Sequence, residues 1–299
     1  MTLTIEQFLS QILPAGAIYA ATSIDPATRK PSQRALNSVR DVAVYCLQAD
    51  ADGHDAFYAM AGFEKGWHDD PMGRTRPDGS PKKVLRTQEN AKSIKAFWLD
   101  LDCGIGKDYP DQRTACQAIV QLTKTVQLPP PLVINSGNGI HCYWVLDKAI
   151  PADMWKKIAC LFSGVVSHVG IQTDSQCTTD EARVLRPVGT HNHKHGQLKP
   201  VTALTPLKPV DPIAFVTAIK KYAVANGVKP VNIVRQENQA PANIANNPVL
   251  AAMWNNGNFQ AVMGHAMMTE RNKDADRIRR NCEQIATAGS QMYPNWFNM

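Results

Sequence analysis

Apolar residues recur at helical spacing over residues 3–13 (Leu3, Ile5, Phe8, Leu9, Ile12), the stripe of a short amphipathic helix that Pro14 closes. Ala17–Ala21 and Phe57–Phe63 predict strands, and Val39–Leu47 fits a strand or a helix. Asp25–Asn37 and Gly66–Lys83 are rich in Pro, Gly, Asp, Arg and Lys and predict loops. The centre is clearer. Ile94–Leu101 predicts a strand. Thr114–Val126 predicts a helix with Ala115, Ala118, Ile119 and Leu122 on one face, stopped by Pro129-Pro130-Pro131. Leu132–Asn135 and Ile140–Leu146 read as strands of a hairpin across a Gly-rich turn. Pro151–Val169 reads as a helix, Arg183–Pro187 as short and extended, and Val201–Leu204 as a strand. Asp211–Asn226 reads as a helix capped by Asp211 and ended by Gly227.

This alternation predicts an α/β (α+β) core over roughly 15–225, within a first unit taken as 1–227. Residues 228–247 carry Asn, Gln, Pro and Ala with little apolar periodicity and read as a linker. From Pro248 the pattern is helical to about Thr287, a small accessory domain over 248–299. The large aromatics Tyr293, Trp296 and Phe297 suggest an element cut short from a longer protein.

Alternation along the central strand puts Phe97, Leu99 and Leu101 on one face and Trp98, Asp100 and Asp102 on the other. Two acids on one face of an apolar strand are costly unless something neutralises them. Divalent cations do so, and hard oxygen ligands select Mg2+ or Mn2+. The step from Asp100 to Asp102 is roughly 6.6 Å. Side chains leaning inward could share two ions ~3.5–4 Å apart. The plain alternative is a strand that emerges into solvent with acids at its mouth.

The turn Ser136-Gly137-Asn138-Gly139 follows about forty residues later, with His141 opening the next strand toward the same mouth. Glycines permit close backbone approach to a ligand, and free turn N–H groups can cradle phosphate. A third string, Thr173 to Lys194, holds Asp174 and Asp180, then Arg183, Arg186 and Lys194. Acids for metal followed by a basic row for triphosphate is the logic of phosphoryl transfer. Alternate histidines at 191, 193 and 195, near Cys177, raise zinc as an option. In a Gly-flanked loop they are more often solvated or phosphate-facing.

Composition sets outer bounds. The 299 residues suggest about two domains at roughly 150 residues each. Net charge is +6, compatible with a polyanionic partner without demanding one. Seven scattered cysteines without a Cys-x-x-Cys pair fit a reducing compartment. No apolar run approaches the ~20 residues of a membrane span, so a soluble, cytoplasmic protein is expected.

Together the three strings resemble the archaeo-eukaryotic primase superfamily, closest to its phage and plasmid primase-polymerase branch. Asp100-Leu101-Asp102 matches the acid-x-acid motif. Ser136, Gly137, Gly139 and His141, with Tyr143-Trp144 after them, match the expanded Ser-x-His motif. Asp174, Arg183, Arg186, Pro187, Gly189, Thr190, Asn192 and Lys194 match the third in order. Departures are Val188 between Pro187 and Gly189, and Thr173 in place of an aliphatic before Asp174. Asp180 thus remains an alternative third ligand, with Asp174 favoured by its gap to the arginines.

The resemblance implies an RNA-recognition-like sheet carrying the acids, an N-terminal α/β lobe and a following helical domain. It implies two metals on Asp100, Asp102 and Asp174. Triphosphate binding would fall to Ser136, Gly137, Asn138, Gly139, His141, Arg183, Arg186, Asn192 and Lys194, with His141 also catalytic. It implies DNA synthesis from dNTPs on a single-stranded template and a primer strand, with a helicase in the longer protein and host cytoplasm as the location. Trp98 and Tyr143 would pack beneath the site. Rival expectations are a non-catalytic replication-initiator module of the same fold and a metal-dependent nuclease. A ligase-associated repair polymerase is a neighbour within the family.

Overall fold

The computed structural model describes residues 3–231. The helices are α1 (Ile5–Ile12), α2 (Val39–Ala51), α3 (Gln112–Val126), α4 (Ala152–His168), α5 (Ser175–Thr179) and α6 (Pro212–Asn226). A four-stranded sheet, order β10-β3-β1-β2, joins β1 (Tyr19–Ile24), β2 (Pro31–Leu36), β3 (Asp55–Ala59) and β10 (Val184–Leu185). A five-stranded sheet, order β13-β8-β9-β7-β4, joins β4 (Ala61–Phe63), β7 (Ala91–Asp102), β8 (Leu132–Asn135), β9 (Gly139–Pro151) and β13 (Thr202–Ala203). Two-residue pairs β5 (His68–Asp69) with β6 (Lys83–Val84), and β11 (His191–Asn192) with β12 (Lys199–Pro200), complete it. The class is mixed α/β with antiparallel sheets, and the five-stranded sheet carries Asp100 and Asp102.

Cross-strand register sorts the core. Phe97 pairs with Trp144, and Trp98 with Tyr143. Phe97 lies against Phe215 of α6, with ring centres 4.7 Å apart, and Trp144 lies 5.2 Å from Phe162 of α4. That face is thus covered by helices. On the opposite face Phe8 of α1 meets Tyr143 edge-on at 6.1 Å and Tyr58 of the other sheet at 5.6 Å. One buried ring therefore joins the two sheets, and α1 holds it there. Thr4 caps α1 through a reciprocal exchange with Gln7. Thr4→Ala is expected to cost about 1 kcal/mol, measured as a lower midpoint in urea.

Several expectations change. The strand expected over Phe57–Phe63 divides at Met60 between the two sheets, which a continuous apolar run conceals. The loop expected over Asp25–Asn37 contains β2. Its Pro, Gln and Arg read as loop, yet as an edge strand it needs only β1 as partner. The loop over Gly66–Lys83 includes β5 and the first residue of β6. Val39–Leu47 is helical, started by Ser38, whose hydroxyl accepts the Asp41 N–H. The first residues of the expected linker pack on α4. Val231 N–H donates to Cys160 at 2.9 Å, and a Cβ on Gly164 would meet the Lys229 carbonyl at 2.3 Å. The remainder of 228–247, and the helical domain expected over 248–299, lie outside the described residues. No described helix is long and apolar enough to cross a membrane.

Candidate active site

Asp100 pairs with His141 across β7 and β9, on the face of Trp98 and Tyr143 that looks toward the four-stranded sheet. From that other sheet come Arg183 and Arg186, which flank β10. The acids and the cations are therefore supplied by different sheets and meet between them. Asp100 has an oxygen 3.7 Å from Arg183 Nη2 and another 3.6 Å from His141 Nε2. Both distances exceed hydrogen-bond reach, so among the described residues its side chain has neighbours but no hydrogen-bond donor. Burial pushes the Asp100 carboxyl up to about 6; Asp102 and Asp174 add to this, while Arg183 and Arg186 oppose it. Burial, aided by Arg186 and Arg183, holds His141 down to about 3, so the ring is neutral. Its Nδ1 lies 3.0 Å from the Tyr143 hydroxyl.

Asp102, at the strand end, is exposed and 2.9 Å from Lys107 Nζ. Asp174 caps α5, accepting the Gln176 N–H at 2.9 Å. It docks beside Asp100 because the Thr173 hydroxyl donates to the Asp100 carbonyl at 3.0 Å, which gives the unexpected threonine a purpose. Trp98 Nε1 donates to the Cys177 carbonyl and fixes the other end of that segment. Asp180 instead accepts from Gln88 and the Ala182 N–H. The charge of Asp174 adds to the upward push on Asp100. The three acids offer hard oxygens, the charges of Asp102 and Asp174 act on Asp100, and Asp100 lacks donors of its own, which suits a divalent cation. Among the described residues, however, no three His, Cys, Asp or Glu side chains close into a ready ligand shell.

The Gly-rich turn differs from expectation. The Gly137 N–H is not free: it donates to Asn135 Oδ1 at 2.8 Å. A Cβ on Gly139 would meet the Leu101 carbonyl at 2.3 Å, and one on Gly137 would meet the Asn192 Cβ at 2.6 Å. Packing within the protein therefore already requires both glycines, Gly139 against the backbone of β7 and Gly137 against the Asn192 and Lys199 side chains. Gly137 also sits at φ 95°, where side chains are strained. Ser136 is buried, and its carbonyl accepts from Asn192 Nδ2 at 3.0 Å. Asn138 Oδ1 accepts from Lys199 Nζ at 2.6 Å. Lys194 is exposed, with its N–H on Asn192 Oδ1.

The basic string is held by acids that the sequence reading passed over. Arg186 donates to Asp55 through Nη2 at 3.0 Å and Nε at 3.3 Å and lies over the Phe57 ring at 4.6 Å. It is an anchored ion pair rather than a free cation. His191 Nδ1 and His193 Nε2 lie 2.9 and 2.8 Å from the two oxygens of Asp50. Both are therefore tied to a carboxylate, although the His191 side chain stays 42% exposed while His193 is largely covered. Burial works to raise Asp50, but these contacts outweigh it and hold the carboxyl below its usual range. The His193 N–H also donates to Asp55. Asp50 and Asp55 thus fasten the 186–193 segment, and no local periodicity signals either. Asp55→Asn is expected to cost about 2 kcal/mol, since it weakens hydrogen bonds to a charged group. Thermal melting checks this.

No family model matches the chain, and no curated protein matches it. Among solved structures it is similar to the AEP domain of the cyanophage S-2L primase-polymerase. The TM-score is 0.46 at 15% identity, over 68% of this chain and 89% of that one. It is similar to the primase RepB', with TM-score 0.44 at 12% identity over 97% of this chain and 88% of that one. It is also similar to the polymerase domain of Mycobacterium tuberculosis ligase D in complex with DNA. There the TM-score is 0.39 at 12% identity, over 78% of this chain and 88% of that one.

Proposed function

We propose that this chain is a template-directed DNA polymerase and primase of the archaeo-eukaryotic primase superfamily. It would take dNTPs, a single-stranded template and a primer strand. The observation that carries the reading is the poorly hydrogen-bonded Asp100 on one sheet, facing Arg183 from the other. Asp174 is docked beside it through Thr173.

Asp100, Asp102 and Asp174 would hold two Mg2+ or Mn2+ ions. When bound, such ions lower the pKa of a primer 3′-hydroxyl and offset the charge of a leaving pyrophosphate. Asp102 would leave Lys107 to do so. Arg183 and Lys194 would offset triphosphate charge most strongly where it develops. Ser136, Gly137, Asn138, Gly139 and Asn192 would shape the rim that receives the nucleotide. His141, neutral, would support Asp100 without adding charge. Arg186, tied to Asp55, would act on the site through its field.

The test is incubation with unprimed single-stranded DNA, labelled nucleotides and either metal. Labelled DNA products that vanish with a chelator are expected. Template binding without synthesis would favour the initiator module, and template shortening would favour the nuclease; either would overturn the reading.

A further inference from the structure

Arg86 lies between β6 and β7, outside every string that drew attention to the site. Its Nη1 donates to the Ala182 carbonyl, which fixes the guanidinium against the backbone leading into Arg183. Its Nε is buried and has no hydrogen-bond partner among the described residues, and the same is true of Arg183 Nε. No carboxylate of the described residues stands within ion-pair distance of Arg86. Asp180, the nearby acid, already accepts from Gln88 and the Ala182 N–H. Burial, and then the charge of Arg183, hold Arg86 below the usual guanidinium range, with Asp180 opposing. Arg86 is thus held against the residue that precedes Arg183, and each of the two guanidiniums has a buried donor unused.

Such an arrangement is costly in isolation, because a buried donor without an acceptor costs about 1–3 kcal/mol and more when charged. An anion with several oxygens relieves both at once, and the planar guanidinium fork matches phosphate geometry. A carboxylate would offer fewer oxygens for two forks. We propose that Arg86 and Arg183 together form a subsite for the phosphates of a nucleotide, with Arg86 as a binding residue that no sequence motif marks. That an anion sits there follows from the paired guanidiniums; that it is the triphosphate rests on the nucleotidyl-transfer reading.

The test titrates inorganic pyrophosphate into the full chain, without metal or template, by calorimetry. R86Q is expected to bind at least about tenfold more weakly, the loss of one charge-assisted contact. R86K should fall between R86Q and wild type, and affinity for a single-stranded oligonucleotide should not change. Thermal melting accompanies each variant; if R86Q melts early, R86K alone is read, with weaker pyrophosphate binding expected. Wild-type affinity for pyrophosphate in the folded variant overturns the subsite. A loss confined to the oligonucleotide also overturns it, since the phosphate would then belong to a strand. Primer extension by wild type is scored separately. If R86Q loses pyrophosphate while wild type makes no DNA, the subsite stands and the polymerase reading falls. If R86Q keeps pyrophosphate while wild type extends primers, the reverse holds.

Discussion

Asp100→Asn is expected to reduce metal-dependent primer extension on the order of a thousandfold, while binding of single-stranded DNA persists and the melting temperature does not fall. The two halves of this result have one cause. The Asp100 side chain is only 23% exposed; its nearest cation, Arg183, stands 3.7 Å away, and the ring nitrogen of neutral His141 lies at 3.6 Å. Its negative charge is thus held at a cost that folding alone does not explain. An amide of the same shape removes the charge and its desolvation penalty. Arg183 keeps the fields of Asp174 and Asp180, so it is not stranded. On the proposed reading extension falls because an amide is a poor ligand for a hard cation and carries no charge to share with Asp102 and Asp174. Steady-state extension, filter binding and calorimetric melting on one preparation check it. Extension at the wild-type rate would remove Asp100 from the chemistry, and a marked drop in melting temperature would mean that its charge serves the fold.

Gly139→Ala is expected to destabilise the protein by about 3 kcal/mol or more, at the upper end of what overpacking does. The added Cβ would sit 2.3 Å from the Leu101 carbonyl and 3.2 Å from the Asp102 Cα. Those atoms belong to the backbone of β7, so no side chain can rotate away. Gly139 is the register partner of Asp102, so β9 and β7 must separate at the acid-bearing end. Extension should fall further than stability alone predicts, because the Asp100–His141 pair lies two residues along the same ladder. Urea unfolding gives the first quantity. Extension at a temperature where the variant remains folded gives the second. A wild-type urea midpoint would show that the hairpin opens freely.

Much of the five-stranded sheet was legible because its elements are local and strongly patterned. β8 falls where expected, and β7, α3, α4 and α6 differ mainly by a few residues at their ends. β2 was not legible, since an exposed edge strand carries no apolar alternation. Nor was α5, whose four polar residues and Cys177 owe their helix to Asp174 as cap and to docking on β7. At the site, Asp100, Asp102 and the Gly-rich turn announced themselves by clustering in sequence. The roles of Arg186, His191 and His193 did not, because Asp50 and Asp55 lie more than 130 residues earlier. A sequence window records charge but not which charge is already answered. Arg86 was missed for the same reason: its significance is an unused buried donor, which only packing reveals.

The partition of the cleft between two sheets has a consequence for biosynthesis. Asp100 and Arg183, which face each other from the two sheets, are 83 residues apart in the chain. At ribosomal speeds, that interval lasts on the order of ten seconds. A nascent chain that has released β7 and β9 already carries the acids, while the arginines that answer them are still to be translated. Until Arg183 emerges, the polypeptide holds Asp100 on a half-covered sheet without the guanidinium that faces it in the folded protein, exposed to chaperones and to cellular cations.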